Sequence, residues 1–187
     1  ENELITIGNG ISAQFGALFL LKNIRLGVTY DSPQWIELTD ETKQSISAFH
    51  YEEGLIVKEE ISPSVTNQYD IYQIKIPSKT TLSFAYVFGP KGLFSIDYSN
   101  QNFANTSLNN DFGSNYLTDV TQRIASRFEG VNTLRVGGEY RIKDISFRAG
   151  FLNQNTVHSN TIKNNKALTF GIGLDFGASS LGISLVN

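Results

Sequence analysis

Residues Thr133 to Leu152, TLRVGGEYRIKDISFRAGFL, alternate apolar and polar on both sides of one short turn. Leu134, Val136, Gly138, Tyr140 and Ile142 share one face, and Thr133, Arg135, Gly137, Glu139 and Arg141 the other, the period of two that a pleated strand imposes. After Lys143-Asp144 the phase restarts, with Ile145, Phe147, Ala149 and Phe151 on the apolar face and Ser146, Arg148 and Gly150 opposite. The spacing predicts a two-residue hairpin that pairs Ile142 with Ile145, Tyr140 with Phe147 and Val136 with Phe151, and sets Glu139 opposite Arg148. A face carrying Arg135, Glu139, Arg141 and Arg148 must meet water or partner charges, because a lone buried charge is prohibitively costly.

The pattern recurs along the chain. Ala13, Phe15, Ala17, Phe19 and Leu21 precede Lys22-Asn23, and Ile24, Leu26, Val28 and Tyr30 follow. Leu82, Phe84, Tyr86 and Phe88 lead through Pro90-Lys91-Gly92 into Phe94, Ile96 and Tyr98. Leu168, Phe170, Ile172, Leu174 and Phe176 turn at 177–180 into Leu181, Ile183 and Leu185. Eight strands thus fall into four hairpins joined by three longer connections. Residues 1–10, ending Gly8-Asn9-Gly10, read as the tail of a preceding element or loop. The connection 32–79 starts with Trp35, Ile36 and Leu38 extending a strand, carries acids over 39–60, and returns through Tyr72, Ile74 and Ile76. Pro77 is expected to mark a kink or bulge where a strand leaves the membrane-like zone. In the Asn- and Ser-rich connection 99–132, Val120, Ile124 and Phe128, spaced by four, predict a short amphipathic helix over 119–128. The third connection covers 153–166.

Short turns at one end and long connections at the other are the asymmetry of a transmembrane β-barrel. Periodicity alone leaves two senses open: the apolar face lines the interior of a soluble barrel or meets lipid outside a membrane barrel. Aromatic residues near strand ends, Tyr30, Trp35, Tyr86, Phe88, Tyr98, Tyr140 and Phe176, favour the second as a lipid-facing girdle. The expected fold is all-β, an antiparallel up-and-down transmembrane β-barrel with about eight strands here, forming a single domain over 1–187.

Composition narrows the chemistry. The 187 residues are 12% aromatic, with 16 Gly and only 4 Pro, which suits many strands with few breaks. A net charge of −3 argues against a nucleic-acid partner. The absence of Cys excludes a disulfide framework and thiol catalysis. No catalytic constellation is legible, so no enzyme, cofactor or metal is expected: His50 and His158 lie in separate connections, and no nucleophile elbow accompanies the Ser and Thr residues. Gly171-x-Gly173 sits inside an alternating strand and reads as a thin spot in a barrel wall rather than a phosphate loop. The polar-face charges Arg25, Asp97, Arg135, Glu139, Arg148 and Asp175 have two readings. They steer a carboxylate headgroup through a lumen, or they pair with one another to fill a polar interior; the cross-strand placement of Glu139 and Arg148 favours the second. Val120, Ile124 and Phe128 either gate a surface opening or pack a loop onto the barrel rim.

Several stretches also resemble a known family. IPSKTTLSFAYVFGPKGLFSIDYSN at 76–100, NTLRVGGEYRIKDISFRAGFL at 132–152 and ALTFGIGLDFG at 167–177, with RLGVTYDSPQW at 25–35, are similar to the C-terminal portion of the FadL/TodX outer-membrane transporters, particularly their Bacteroidetes forms. The resemblance implies a fourteen-stranded barrel with an N-terminal hatch, set in the outer membrane of a Gram-negative bacterium. It further implies passive uptake of long-chain fatty acids or other hydrophobic small molecules, with membrane lipid and that ligand as partners. The chain begins Glu-Asn-Glu and lacks the family's hatch, early strands and terminal aromatic strand, so it is expected to be a fragment. Two alternatives stand beside transport. One is a non-transporting barrel subunit of an outer-membrane secretion or assembly complex, with protein partners on its long loops. The other is a complete eight-stranded barrel closed between strands 12–21 and 181–187.

Overall fold

The computed structural model describes residues 2–52, 54–111, 113–158 and 164–187. Its strands, numbered along the chain, are β1 (Asn2–Ile11), β2 (Gln14–Leu21), β3 (Ile24–Asp31), β4 (Gln34–Glu52), β5 (Leu55–Gln68), β6 (Tyr72–Ile76), β7 (Lys79–Val87), β8 (Gly92–Asn102), β9 (Ser107–Asn109), β10 (Gly130–Ile142), β11 (Ile145–Gln154), β12 (Asn165–Asp175) and β13 (Ser180–Val186). One helix, α1 (Asn115–Arg127), lies between β9 and β10.

The eight strands expected from alternation form one antiparallel sheet in the order β13-β12-β11-β10-β8-β7-β3-β2. This is an up-and-down meander, because the long connections also join spatial neighbours: β3 to β7, β8 to β10 and β11 to β12. Register at the central hairpin is as the turn length demands, with Ile142 opposite Ile145, Tyr140 opposite Phe147, Glu139 opposite Arg148 and Val136 opposite Phe151. The sheet is open. β2 and β13 are its two edges, and the pairing between them that a closed eight-stranded barrel requires is not made.

Turn chemistry sets one end of this sheet. The β2–β3 and β10–β11 turns each begin with a lysine at φ 51°, Lys22 and Lys143. Between β7 and β8 a short 3-10 turn, Gly89–Lys91, delivers the chain into Gly92 at φ 151° and ψ −168°, a corner essentially restricted to glycine. A Cβ on Gly92 would also run into the Glu139 carbonyl oxygen. Glycine is required there twice over.

Three expectations from sequence are corrected. Residues 2–11 are not a tail but strand β1, paired with β4 from Asn2↔Gln44 to Ile11↔Trp35. Most of the 32–79 connection is strand, because β4 pairs with both β5 and β6; β4 and β5 lack the alternation that a one-sided apolar environment would imprint, which only the short β6 shows through Tyr72, Ile74 and Ile76. The helix starts at Asn115 rather than 119 and ends before Phe128, whose backbone is extended. Of the third connection, residues 159–163 lie outside the described residues.

The second sheet continues the first. Its order, β1-β4-β6-β9, repeats β2-β3-β7-β8, and each pair of segments is interrupted at the same level: Ser12-Ala13, Ser32-Pro33, Pro77-Ser78 and 103–106. Proline cannot donate to a ladder, so Pro33 and Pro77 break pairing here. One backbone bond and two side-chain bonds replace part of what is lost. Ser32 N donates to Ala13 O at 2.8 Å, Ala13 N donates to Ser32 Oγ at 2.8 Å, and Gln101 Nε2 donates to Pro77 O at 2.9 Å. Pro77 thus lies on a seam that crosses four strands.

Burial runs opposite to that of a water-soluble sheet. On β12, Leu168, Phe170 and Ile172 are exposed, while Thr169 and Gly171 are half-buried and Gly173 is buried. Ser99 and Thr133, neighbours in register, are each only 4% exposed, whereas Phe170 is 59% and Leu82 55% exposed. Val131 is the one buried hydrophobic side chain among the described residues. Leaving a Phe or Leu in water forfeits roughly 1.5–3 kcal/mol each. An apolar surface that includes Phe15, Phe19, Leu26, Phe147, Phe151 and Phe170 therefore needs an apolar medium.

Candidate functional site

The polar faces of β3, β8 and β10–β12 carry the six charges singled out from sequence, and the fold brings two of them together. Arg148 Nε donates to Glu139 Oε2 at 2.7 Å. A third group joins them: Arg141 Nη2 donates to Glu139 Oε1 at 2.9 Å, so one carboxylate bridges two guanidinium groups. Arg141 stands two residues from Glu139 and so shares its face, a signal present in the alternation itself. Arg148 then extends over β12 and β13. A Cβ on Gly173 would lie 3.4 Å from Arg148 Nη1, and one on Gly182 would lie 4.0 Å from it, so these glycines leave the space that the arginine occupies. The Gly171-x-Gly173 stretch is a thin spot with a tenant.

The other four charges stand apart. Asp97 and Arg135 are directly opposed in register but form no ion pair among the described residues. Arg25 Nη1 donates to the carbonyls of Lys22 at 2.9 Å and Ile24 at 3.4 Å, bracing the β2–β3 turn. Asp175 accepts from Gly177 N at 2.9 Å and shapes the β12–β13 turn.

The helix stripe packs inward. Val120 and Ile124 are half-buried, and Thr121 Oγ1 accepts from Leu108 N at 2.9 Å and donates to Leu108 O at 3.1 Å, fastening α1 to β9. Phe128, just past the helix, meets the His158 ring edge-on at 4.9 Å. The three residues thus hold the second connection against the end of the sheet, and any gating would require that packing to open.

On the apolar face the aromatics fall into two levels. Tyr86 and Phe88 contact edge-on at 4.9 Å near the short turns, where Tyr140 and Phe176 also lie exposed. Tyr30 and Tyr98 mark the other level. There the outward positions become polar, as Tyr98 Oη and Asn100 Nδ2 both donate to Asn132 Oδ1, at 2.8 and 2.7 Å. This asparagine cluster is a boundary that sequence reasoning missed, although the alternation of large apolar residues stops there. Trp35 lies across the seam in the second sheet, level with Ile11 and Lys75. On β10 the outward apolar run from Leu134 to Ile142 is eight steps, or ~27 Å along the strand and ~21 Å when tilted by ~40°, close to the ~25 Å apolar band of outer-membrane barrels.

A recess of about 870 Å³ also opens on the apolar face. In the cross-strand row Phe94–Gly138–Ala149–Phe170 the two central positions carry no side chain and a methyl, leaving a hollow between aromatic neighbours. A separate polar notch of about 460 Å³ sits at the seam, lined by Gln14, Asp31, Lys79 and Gln101 among others.

No protein-family model and no curated protein matches the sequence. Among solved structures, the toluene transporter TodX of Pseudomonas putida is similar, with a TM-score of 0.51 and 16% identity over 92% of this chain. The two share a fold. The chain spans 43% of the length of TodX, and the all-β, antiparallel up-and-down architecture expected from alternation is observed as an open sheet consistent with part of a barrel wall. That likeness concerns the backbone scaffold, and the charged cluster and recess described above are features of this chain.

Proposed function

We propose that the chain forms part of a FadL-type β-barrel in the outer membrane of a Gram-negative bacterium, a passive uptake route for hydrophobic small molecules such as long-chain fatty acids or simple arenes. The observation that carries this reading is the inverted burial: serine, threonine and glycine on the protected face, phenylalanine and leucine on the exposed one. Apolar molecules would be captured on apolar surface at the long-connection end and descend into the barrel, driven by withdrawal of their hydrocarbon from water. The fold shared with a toluene transporter agrees with this class of cargo.

A second reading has its own observation. The β4–β5 hairpin extends beyond the rest of its sheet, β5 pairs with β4 alone, and Phe49, Tyr51, Leu55 and Ile56 near its tip are exposed. Such an arm suits a protein contact and hence a non-transporting subunit of an outer-membrane complex. The two are separated by deleting the native protein from its cell and following uptake of labelled oleate and toluene. A several-fold loss of uptake, restored by the native protein, is expected. Unchanged uptake together with a stoichiometric protein partner on purification would overturn transport in favour of the subunit.

A further inference from the structure

We propose that the short-turn rim holds an anionic phospholipid of the adjoining leaflet, with acyl chain in the apolar recess and phosphate against Lys91 and Lys143. The proposal rests on the outer-membrane reading above.

Two adjoining cavities carry it. The larger recess runs from Phe88 and Phe94 across Gly138 and Ala149 to Leu181 and Ile183, and its lining is almost wholly hydrocarbon. Beside it lies a smaller hollow of about 480 Å³ lined by Pro90, Lys91, Tyr140, Arg141, Ile142 and Lys143. Tyr140 lines both, so the hydrocarbon slot gives onto the cationic hollow at that ring. Arg141 is held by Glu139, whereas Lys91 and Lys143 make no ion pair among the described residues. Asp144, next to Lys143 in the chain, lines neither hollow.

A slot with almost wholly apolar lining that gives onto two lysine ammonium groups without an ion pair among the described residues is complementary to an amphiphile with an apolar tail and an anionic head. The recess lies on the face that meets lipid, where phospholipid is the solvent, so occupancy by mass action favours it over a dilute free acid. The two lysines sit at the level where headgroups begin, just beyond the aromatic row of Tyr86, Phe88 and Tyr140. A zwitterionic lipid would fill the slot equally well, but its own ammonium offsets its phosphate beside the lysines, so the net headgroup charge is the discriminating feature.

The test uses the full native protein, purified, delipidated and exposed to equimolar phosphatidylglycerol and phosphatidylcholine of identical chains, with retained lipid read by native mass spectrometry. Preferential retention of phosphatidylglycerol is expected. The double substitution Lys91→Gln and Lys143→Gln should reduce that retention by about fivefold per lysine. Ala149→Phe should reduce retention of both lipids by filling the slot, and the lysine variant keeps the test sound if the filled slot fails to fold. Equal retention of the two lipids, a preference unchanged in the lysine variant, or displacement of phosphatidylglycerol by equimolar oleate would overturn the site. Failure of the native protein to float with vesicles would overturn the membrane reading itself.

Discussion

Glu139 and Arg148 stand directly opposite each other across the β10–β11 hairpin, and Arg148 Nε donates to the Glu139 carboxylate at 2.7 Å. Two strands joined by a two-residue turn can satisfy that placement in one register only, so the pair both reports the register and reinforces it.

Arg148→Leu should lower the unfolding free energy by about 0.2–1 kcal/mol, the range of a direct cross-strand charge pair, because Glu139 keeps Arg141. Urea titration of the bilayer-inserted protein measures the loss, and a cycle with Glu139→Gln isolates the pair. Uptake should stay nearly intact. Unchanged stability with abolished uptake would move Arg148 from a wall residue to a ligand contact.

The sense of the wall is testable at adjacent positions of β12. Phe170 points to the exposed face and Thr169 to the protected one. Phe170→Arg should cost about 2–4 kcal/mol in a bilayer if its level is near the midplane, while Thr169→Arg, on the polar side, should cost far less. A water-soluble sheet would show the opposite order, since an exposed Phe replaced by Arg loses nothing.

Gly92→Ala should destabilise by about 1–3 kcal/mol, since it places a Cβ against the Glu139 carbonyl and holds a non-glycine residue in a glycine-only corner. Gly177→Ala is the control: its φ is also positive, at 84°, but no atom lies within 4 Å of the added carbon. Equal losses at the two positions would show that φ alone, and not the close approach of β8 to β10, sets the cost.

Beyond the seam, the Tyr72 phenol donates to Asp40 Oδ2 at 3.2 Å. Burial first, then the hydrogen bond to Asp40 and its negative charge, push the Tyr72 pKa above its ordinary value. A raised folded-state pKa contributes stability that is whole below the ordinary tyrosine value of about 10 and is lost as pH rises through the raised one. Tyrosinate absorbance, taken as the difference from Tyr72→Phe, should therefore place Tyr72 late in the titration. Asp40→Asn should bring it earlier without abolishing the shift, as burial remains. No change on removing the Asp40 charge would refute the assignment.

Much of the first sheet was legible because its information is local. Alternation sorts Tyr140 from Glu139 and Phe147 from Arg148, and Lys22-Asn23 and Lys143-Asp144 close hairpins too short to slip. The second sheet was not legible, because β1 finds its partner more than twenty residues away and neither strand carries a one-sided apolar pattern. The same limit applies to the site. Glu139–Arg148 follows from one hairpin, whereas the seam aligns breaks from four separate stretches, and the recess arises only when Gly138 and Ala149 are set between Phe94 and Phe170.

The amino-acid sequence by itself determined that this protein has two unlike faces, and which residues lie on each, because a pleated strand allows no other sorting. It could not say which face is sheltered, since the same alternation serves a soluble interior and a lipid-facing exterior. The tertiary structure decided that. Neighbours distant in sequence, β3 with β7 and β8 with β10, draw the serines and threonines into the protected side and leave the aromatics outside, and only non-local pairing can choose between those two senses.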